Sequence, residues 1–323
     1  MRPSVVCPGL LIGLCVGTRQ AEPRAIDEGM HMSFRSRSDE LPRRHIRALV
    51  SDIDGTLVTS AKLLSQRTLQ AVAGLRGRGI LFSIVSSRPP RGLKHLADAL
   101  AVTAPMAAFN GGVLLEPNMS LVAEHVLPAI IARYAVDELR ARDVDVWVFS
   151  GEDWYVSNGA SPYVARETRA LQFDPILVSD FDPVLTRVAK IVGLSADHDL
   201  IARCEKEIGR TLAGGAAVVR SQDYALDITH PLANKGLALA QIAARMATPL
   251  SEVAVIGDGR NDVAMFARSG LSVAMGNASR EVQDAADFVT ASNDEDGFAE
   301  AVEHLFPSNA APVARASGTA RGS

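Results

Sequence analysis

Asp52-Ile53-Asp54-Gly55-Thr56 stands at the end of the apolar run Ile46–Val50. The run reads as a buried strand, and the glycine suits the tight turn by which a chain leaves a sheet. Two carboxylates on one such turn suit a nucleophile and its acid/base partner working on a metal-bound phosphate.

Outward from that turn the segments alternate. Ser65 is a fitting N-cap for a helix to about Arg76, ended by Gly77 and Gly79, and Ile80–Ser86 reads as a second strand. Pro89 and Pro90 open a helix whose Leu93, Leu96, Ala97 and Leu100 share a face, and Met106–Phe109 follows as a third strand. The pattern resumes late, with helices over Leu237–Met246, about Asn261–Arg268, Arg280–Ala286 and Gly297–Phe306. Strands at Val253–Ile256, Leu271–Ala274 and Asp287–Thr290 lie between them. Nearly continuous apolar strands alternating with helices predict an α/β fold, a Rossmann-like, doubly wound parallel sheet.

Between these halves the texture changes. Asp145–Phe149 and Trp154–Ser157 read as a hairpin, Val188–Leu194 as a strand, and Ala129–Arg142 and Asp199–Thr211 as helices. Nine of the sixteen aromatics fall between Tyr134 and Tyr224, which predicts a second, smaller core. The expected organisation is a core of residues 45–114 and 226–306 carrying an inserted α+β domain over 115–225.

Composition narrows the function classes. The 323 residues carry a net charge of −4, with no basic face interleaved with aromatics, so no nucleic-acid partner is expected. Cys7, Cys15 and Cys204 form neither a disulfide framework nor a zinc spacing, which fits a reducing, cytoplasmic setting. Arg2 and the apolar stretch Val5–Val16 have the proportions of a signal peptide. Against that, Pro8 and Gly9 interrupt it, no A-x-A site follows, and it is too short to span a bilayer. Residues 1–44 are therefore expected to be a disordered or wrongly assigned extension, with Met30 or Met32 as alternative starts, and 307–323 a disordered tail.

Ligands of open parallel sheets bind outside the carboxyl ends of the strands, and the notable polar residues fall there. Asp52 is the candidate nucleophile, and Asp54 the acid that protonates a leaving oxygen and then the base that activates water. Asp52, the Asp54 backbone carbonyl and Asp258 make an oxygen-rich set suited to Mg²⁺. Ser86, Lys235 and Asn261 are candidate donors to the phosphoryl oxygens, and Asp262 could steer Lys235. Taken singly, each has a bland reading as a turn, cap or surface residue; their order and their strand-end placement give them joint weight.

Together these residues resemble the haloacid dehalogenase (HAD) superfamily, and within it the Cof-like phosphatases, whose cap is inserted between the second and third motifs. Ser51–Leu57 looks like the first motif, Ser86-Ser87-Arg88-Pro89 the second, Asn234-Lys235-Gly236 the third and Gly257–Asp262 the fourth. Asn110-Gly111-Gly112 resembles the substrate-side loop, and Ala274–Ala278 with Asp294–Gly297 the characteristic ending. The resemblance implies a Mg²⁺-dependent phosphatase using Asp52 and Asp54, with Asp52, Asp54 and Asp258 at the metal. It further implies Ser86, Asn110, Gly111, Lys235 and Asn261 around the phosphate, supported by Gly55, Arg88 and Asp262. The expected substrate is a small phosphorylated metabolite such as a sugar phosphate; a phosphomutase and a non-catalytic phosphate sensor are the alternatives. One departure stands out: relatives commonly read Thr-Gly-Arg where this chain has Ser86-Ser87-Arg88, and Ser87 would be strained if that position required positive φ. Neither the substrate nor the oligomeric state is legible.

Overall fold

A computed structural model describes residues 35–36 and 45–307. The expected extension and tail otherwise lie outside the described residues. The main sheet has six strands in the order Arg35–Ser36, Phe288–Val289, Leu271–Ala274, Val253–Gly257, Ala48–Ser51 and Leu81–Ile84. All its pairings are parallel except that of Arg35–Ser36, which runs antiparallel to Phe288–Val289. Ala48–Ser51 and Val253–Gly257 are buried throughout, as strands covered on both faces must be.

Local signals act as expected at several boundaries. Ser65 caps the helix Gln66–Gly77 by accepting from Thr68 N, and Gly79 leaves it with φ +71°. Pro90 is the first residue of the helix Pro90–Ala99. The segment after Gly259 is shorter than expected, a 3₁₀ turn at Arg260–Asp262 followed by one helical turn at Val263–Phe266. Met106–Ala108 is not a ladder strand of the main sheet. It touches Val85 through one parallel bridge and pairs antiparallel with Val113–Leu115, which in turn pairs with Leu121–Glu124. The cause is the turn between: Phe109, Asn110 and Gly111 all have positive φ and fold the chain straight back.

The intervening segment builds a second six-stranded sheet, in the order Ala217–Gln222, Ala225–Thr229, Val188–Leu194, Asp145–Ser150, Asp153–Val156 and Ile176–Leu177. The helices Ala129–Arg140 and His198–Thr211 pack on one face of it, around Leu139, Val146, Ile191, Ile201 and Leu226. Both expected boundaries of the inserted domain fall inside strands: that between 114 and 115 cuts Val113–Leu115, and that between 225 and 226 cuts Ala225–Thr229, which pairs along its length with Val188–Leu194.

The aromatics do not form a core of their own. Trp147, Phe149, Trp154 and Phe173 are buried in the same cluster as Leu93, Phe109 and Leu171, so they join the second sheet to the parallel-sheet body, whereas Phe181 lies in the cluster under the helices. Phe149 meets Phe109 edge-on at 5.6 Å between ring centres. Among the described residues no helix is long and apolar enough to cross a membrane. Leu49, fully buried between the two central ladders, tests the core: Leu49→Ala is expected to cost about 2–5 kcal/mol in urea unfolding, read as a lower midpoint at unchanged slope.

Candidate active site

The Asp52 N–H donates to Ile256 O at 3.0 Å, which fixes the nucleophile candidate to the neighbouring central strand as it leaves the sheet. Its carboxylate faces Lys235, the first residue of the helix Lys235–Arg245, which Asn234 caps by accepting from Gly236 N and Leu237 N. The Lys235 ammonium lies 2.5 Å from Asp52 Oδ1 and 2.6 Å from Asp262 Oδ1, with all three side chains buried. Burial pushes the Asp52 carboxyl up, opposed chiefly by the charge of Lys235. Burial also works against the Lys235 ammonium, but Asp262 and Asp52 outweigh it and raise its pKa.

Asp54 is held on both oxygens. Arg88 donates from Nε to Oδ2 at 2.7 Å and from Nη2 to Oδ1 at 2.8 Å, and Lys62 donates to Oδ1 at 2.7 Å. Burial alone would raise the Asp54 carboxyl; Arg88, then Lys62, overcome it and hold it well below the usual carboxylate range. The third arm of Arg88, Nη1, donates to Ala170 O in the inserted segment at 2.8 Å. Ser87 is not among the described non-glycine residues with positive φ, so the serine in place of glycine introduces no such strain.

Asp52, Asp258 and Asp262 bring carboxylate oxygens within 4.8 Å of one another. Asp262 is already committed, one oxygen to Lys235 and the other to the N–H groups of Asp258 and Gly259 at 3.0 and 2.8 Å. Asp258 accepts from Thr56 Oγ1 at 2.8 Å, and burial followed by the charge of Asp262 pushes it up to about 6. Gly55 makes room for that carboxylate: a Cβ there would sit 2.2 Å from Asp258 Oδ2, on a backbone with φ +86°. The backbone N–H groups of Thr56, Leu57 and Val58 converge on the Ile53 carbonyl, not on that of Asp54. With Asp262 committed, Asp52 and Asp258 keep carboxylate oxygens close enough to share one divalent cation.

The expected phosphate-side residues divide. Asn261 Nδ2 donates to Asn110 Oδ1 at 2.9 Å, which unites two loops more than a hundred residues apart in sequence. Both line the cavity above Asp52, as do Lys235, Ser87 and Arg88. Ser86 is fully buried beneath it, its hydroxyl accepting from Arg88 N at 3.2 Å. Gly111 is packed against the start of the Lys235 helix, where a Cβ would come within 2.8 Å of Ala238 Cβ and 3.0 Å of Asn234 O. His230 lies outside the cavity lining and stacks on His125 at 5.3 Å.

Sequence reasoning missed Lys62 and Thr56 as side chains of the site. Thr56 stood inside the quoted motif, next to Gly55 and two residues after Asp54, with nothing in the sequence to show that its hydroxyl meets Asp258; Lys62 lies in an irregular loop with no periodic or capping signal. It also missed how the turn is tied down. Asn277 donates to Gly55 O, Asn293 to Val58 O, Ser60 to Asp294, and Ser65 to Asp296, so the ending Ala274–Gly297 pins the loop that carries Asp54.

The family described as haloacid dehalogenase-like hydrolase matches residues 49–302. A Haemophilus influenzae protein provisionally named a phosphatase is 29% identical over 278 residues, covering 81% of this chain and 98% of that protein. A Bacillus subtilis 5-amino-6-(5-phospho-D-ribitylamino)uracil phosphatase is 25% identical, covering 80% and 95%. The crystal structure of a haloacid dehalogenase-like hydrolase from Bacteroides thetaiotaomicron superposes with a TM-score of 0.74 at 31% identity, covering 81% of this chain and all of that one.

Two outcomes follow from the charges. Lys235→Ala leaves Asp52 and Asp262 buried without their cation and is expected to cost about 3–5 kcal/mol in denaturant unfolding. Burial and the charge of Asp262 push Asp258 up to about 6, so between the ordinary aspartate value of about 4 and that point the fold holds a proton that the unfolded chain has released. Its contribution to stability therefore falls as pH rises through that window. Melting curves in EDTA should show the native chain losing stability relative to Asp258→Asn between about pH 4 and 6; parallel curves would refute the assignment.

Proposed function

Because the chain belongs to the haloacid dehalogenase-like hydrolases, we propose that it is a phosphomonoesterase of small phosphorylated metabolites, working through an aspartyl-phosphate with Mg²⁺ in the cytoplasm. The observation that carries the reading is the convergence of Asp52, Asp54, Lys235 and Asp258 on one cavity at the carboxyl ends of the central strands. Residues 129–229, which carry the second sheet and its helices, act as a cap that covers the cavity and excludes bulk water.

In the first step Asp52 Oδ attacks phosphorus as the ester P–O bond breaks, and the leaving oxygen takes a proton from Asp54. In the second, water attacks phosphorus, gives a proton to Asp54, and the P–O bond to Asp52 breaks to release inorganic phosphate. Arg88 and Lys62 hold Asp54 ionised in the substrate-free fold, the form the second step uses; for the first step it takes up a proton from solvent, gives it to the leaving oxygen, and is reprotonated by the attacking water in the second. Lys235 balances the buried charge of Asp52 and Asp262 and, with Asn261, Asn110 and the Ser86 loop, offers donors where charge develops on the phosphoryl oxygens. Gly55 and Gly111 serve by leaving space, the one for Asp258 and the other for the start of the Lys235 helix. A divalent cation held by Asp52, the Asp54 carbonyl and Asp258 would screen the dianionic phosphate from the nucleophile. The all-oxygen donor set would suit Mg²⁺ in that place.

An aryl phosphate serves as the test substrate. Asp52→Asn is expected to abolish its turnover, and EDTA to do so reversibly on adding back Mg²⁺. Wild-type rates for Asp52→Asn would exclude the covalent route.

A further inference from the structure

The described chain passes between the parallel-sheet body and the second sheet twice, and each crossing carries a histidine. His125 follows the strand Leu121–Glu124 and precedes Leu127, whose N–H donates to Val188 O of the second sheet at 2.7 Å. His230 follows Ala225–Thr229 and precedes the helix Lys235–Arg245. The two half-buried rings stack at 5.3 Å between centres, with 20° between their planes. Each histidine is tied to a loop of the candidate site. The His125 N–H donates to Gly112 O at 2.7 Å, beside the Gly111 that packs on Asn234. The His230 ring accepts at Nδ1 from Leu232 N at 3.1 Å, and its carbonyl accepts from Ala233 N at 2.8 Å, closing the turn that delivers Asn234 and Lys235.

A ring nitrogen that accepts must carry a lone pair, so this turn needs His230 unprotonated at Nδ1. A proton there would set a second donor against the Leu232 N–H. Two charged rings at this spacing would also repel one another. The carboxylates nearest in sequence are engaged elsewhere. Glu124 has both oxygens on the Arg187 guanidinium at 2.9–3.1 Å, and Asp227 is paired with Lys190 at 2.8 Å. Burial, then the charge of His125, holds the His230 imidazole below its ordinary value. What the neutral ring contributes to the fold is therefore lost as pH falls through that lowered value.

We propose that His125 and His230 form an acid-sensitive clasp: neutral, they hold the two crossings together; charged, they part and let the second sheet move away from the body. Trp147 and Trp154, the chain's two tryptophans, are buried where sheet and body meet and report that movement without any substrate. Acrylamide quenching of tryptophan emission from the full chain is expected to rise about twofold or more between about pH 8 and about pH 5, reversibly and with far-UV ellipticity retained. His230→Asn keeps an acceptor for Leu232 N but takes no charge, and His125→Gln removes the other titrating ring. Each variant is expected to lose at least about half of the rise, and the double variant nearly all of it. Asp52, Asp258, Glu167 and His95 also have displaced pKa values, but they are the same in every variant, so the difference belongs to the pair. If a variant fails to fold at neutral pH, the native chain decides: the Hε1 resonances of His125 and His230 must titrate over the same pH interval as the quenching. A flat native profile, an undiminished rise in the folded variants, a rise seen only together with loss of ellipticity, or histidine titrations outside the quenching interval would overturn the clasp. Because no substrate enters the measurement, its outcome is separate from that of the phosphatase reading.

Discussion

One buried ammonium organises the site. Lys235 stands between Asp52 and Asp262 at 2.5 and 2.6 Å, and each partner belongs to a different piece of chain: the first central strand, a helix start, and the turn after the second central strand. Without the cation, two carboxylates would share a dry space, and desolvation and mutual repulsion would drive at least one to protonate. With it, Asp262 is free to turn its second oxygen to the N–H groups of Asp258 and Gly259 and so shape the loop that presents Asp258. The candidate nucleophile, candidate phosphate donor and candidate metal ligand thus inherit their positions from one ion cluster. Such a cluster contributes more to position than to net stability.

A second charged element sets the other side. Arg88 spends its planar fork on Asp54 and its remaining arm on the Ala170 carbonyl, so one rigid group touches both the acid/base candidate and the inserted segment. Packing reinforces the link, since Phe149 and Trp147 bury themselves in the cluster that contains Leu93 and Phe109. Displacement of the second sheet would leave a buried guanidinium short of an acceptor, which ties the placement of Asp54 to that of the sheet.

The parallel sheet was legible because its strands are short, apolar and followed at once by turn residues; Ala48–Ser51, Leu271–Ala274 and the Ser65 cap are where pattern and physics agree. The meeting of the candidate site residues was legible for a related reason: Asp52, Lys235 and Asp258 all follow strand ends or open helices, positions that topology alone carries to one crevice. The inserted segment was harder. Ala217–Gln222 carries Arg220, Ser221 and Gln222 and leaves its residues largely exposed, so it lacks the apolar run that marked the core strands. Ala225–Thr229 is completely buried but contains Asp227, whose charge is balanced only by a lysine 37 positions earlier, a pairing that sequence does not display. Met106–Ala108 misled because three consecutive positive-φ residues reversed the chain where two of them were not glycine. Lys62 could not be foreseen at all, since only the folded loop brings it to Asp54.

The pins on that loop reach far along the chain. Gly55, Val58, Ser60 and Ser65 are held by Asn277, Asn293, Asp294 and Asp296. Asp52 and Asp54 are made more than two hundred residues before the residues that complete their setting. A nascent chain therefore carries these two carboxylates through more than two hundred further residues of synthesis without the frame that positions them, and the candidate site closes only after Asp296 has emerged.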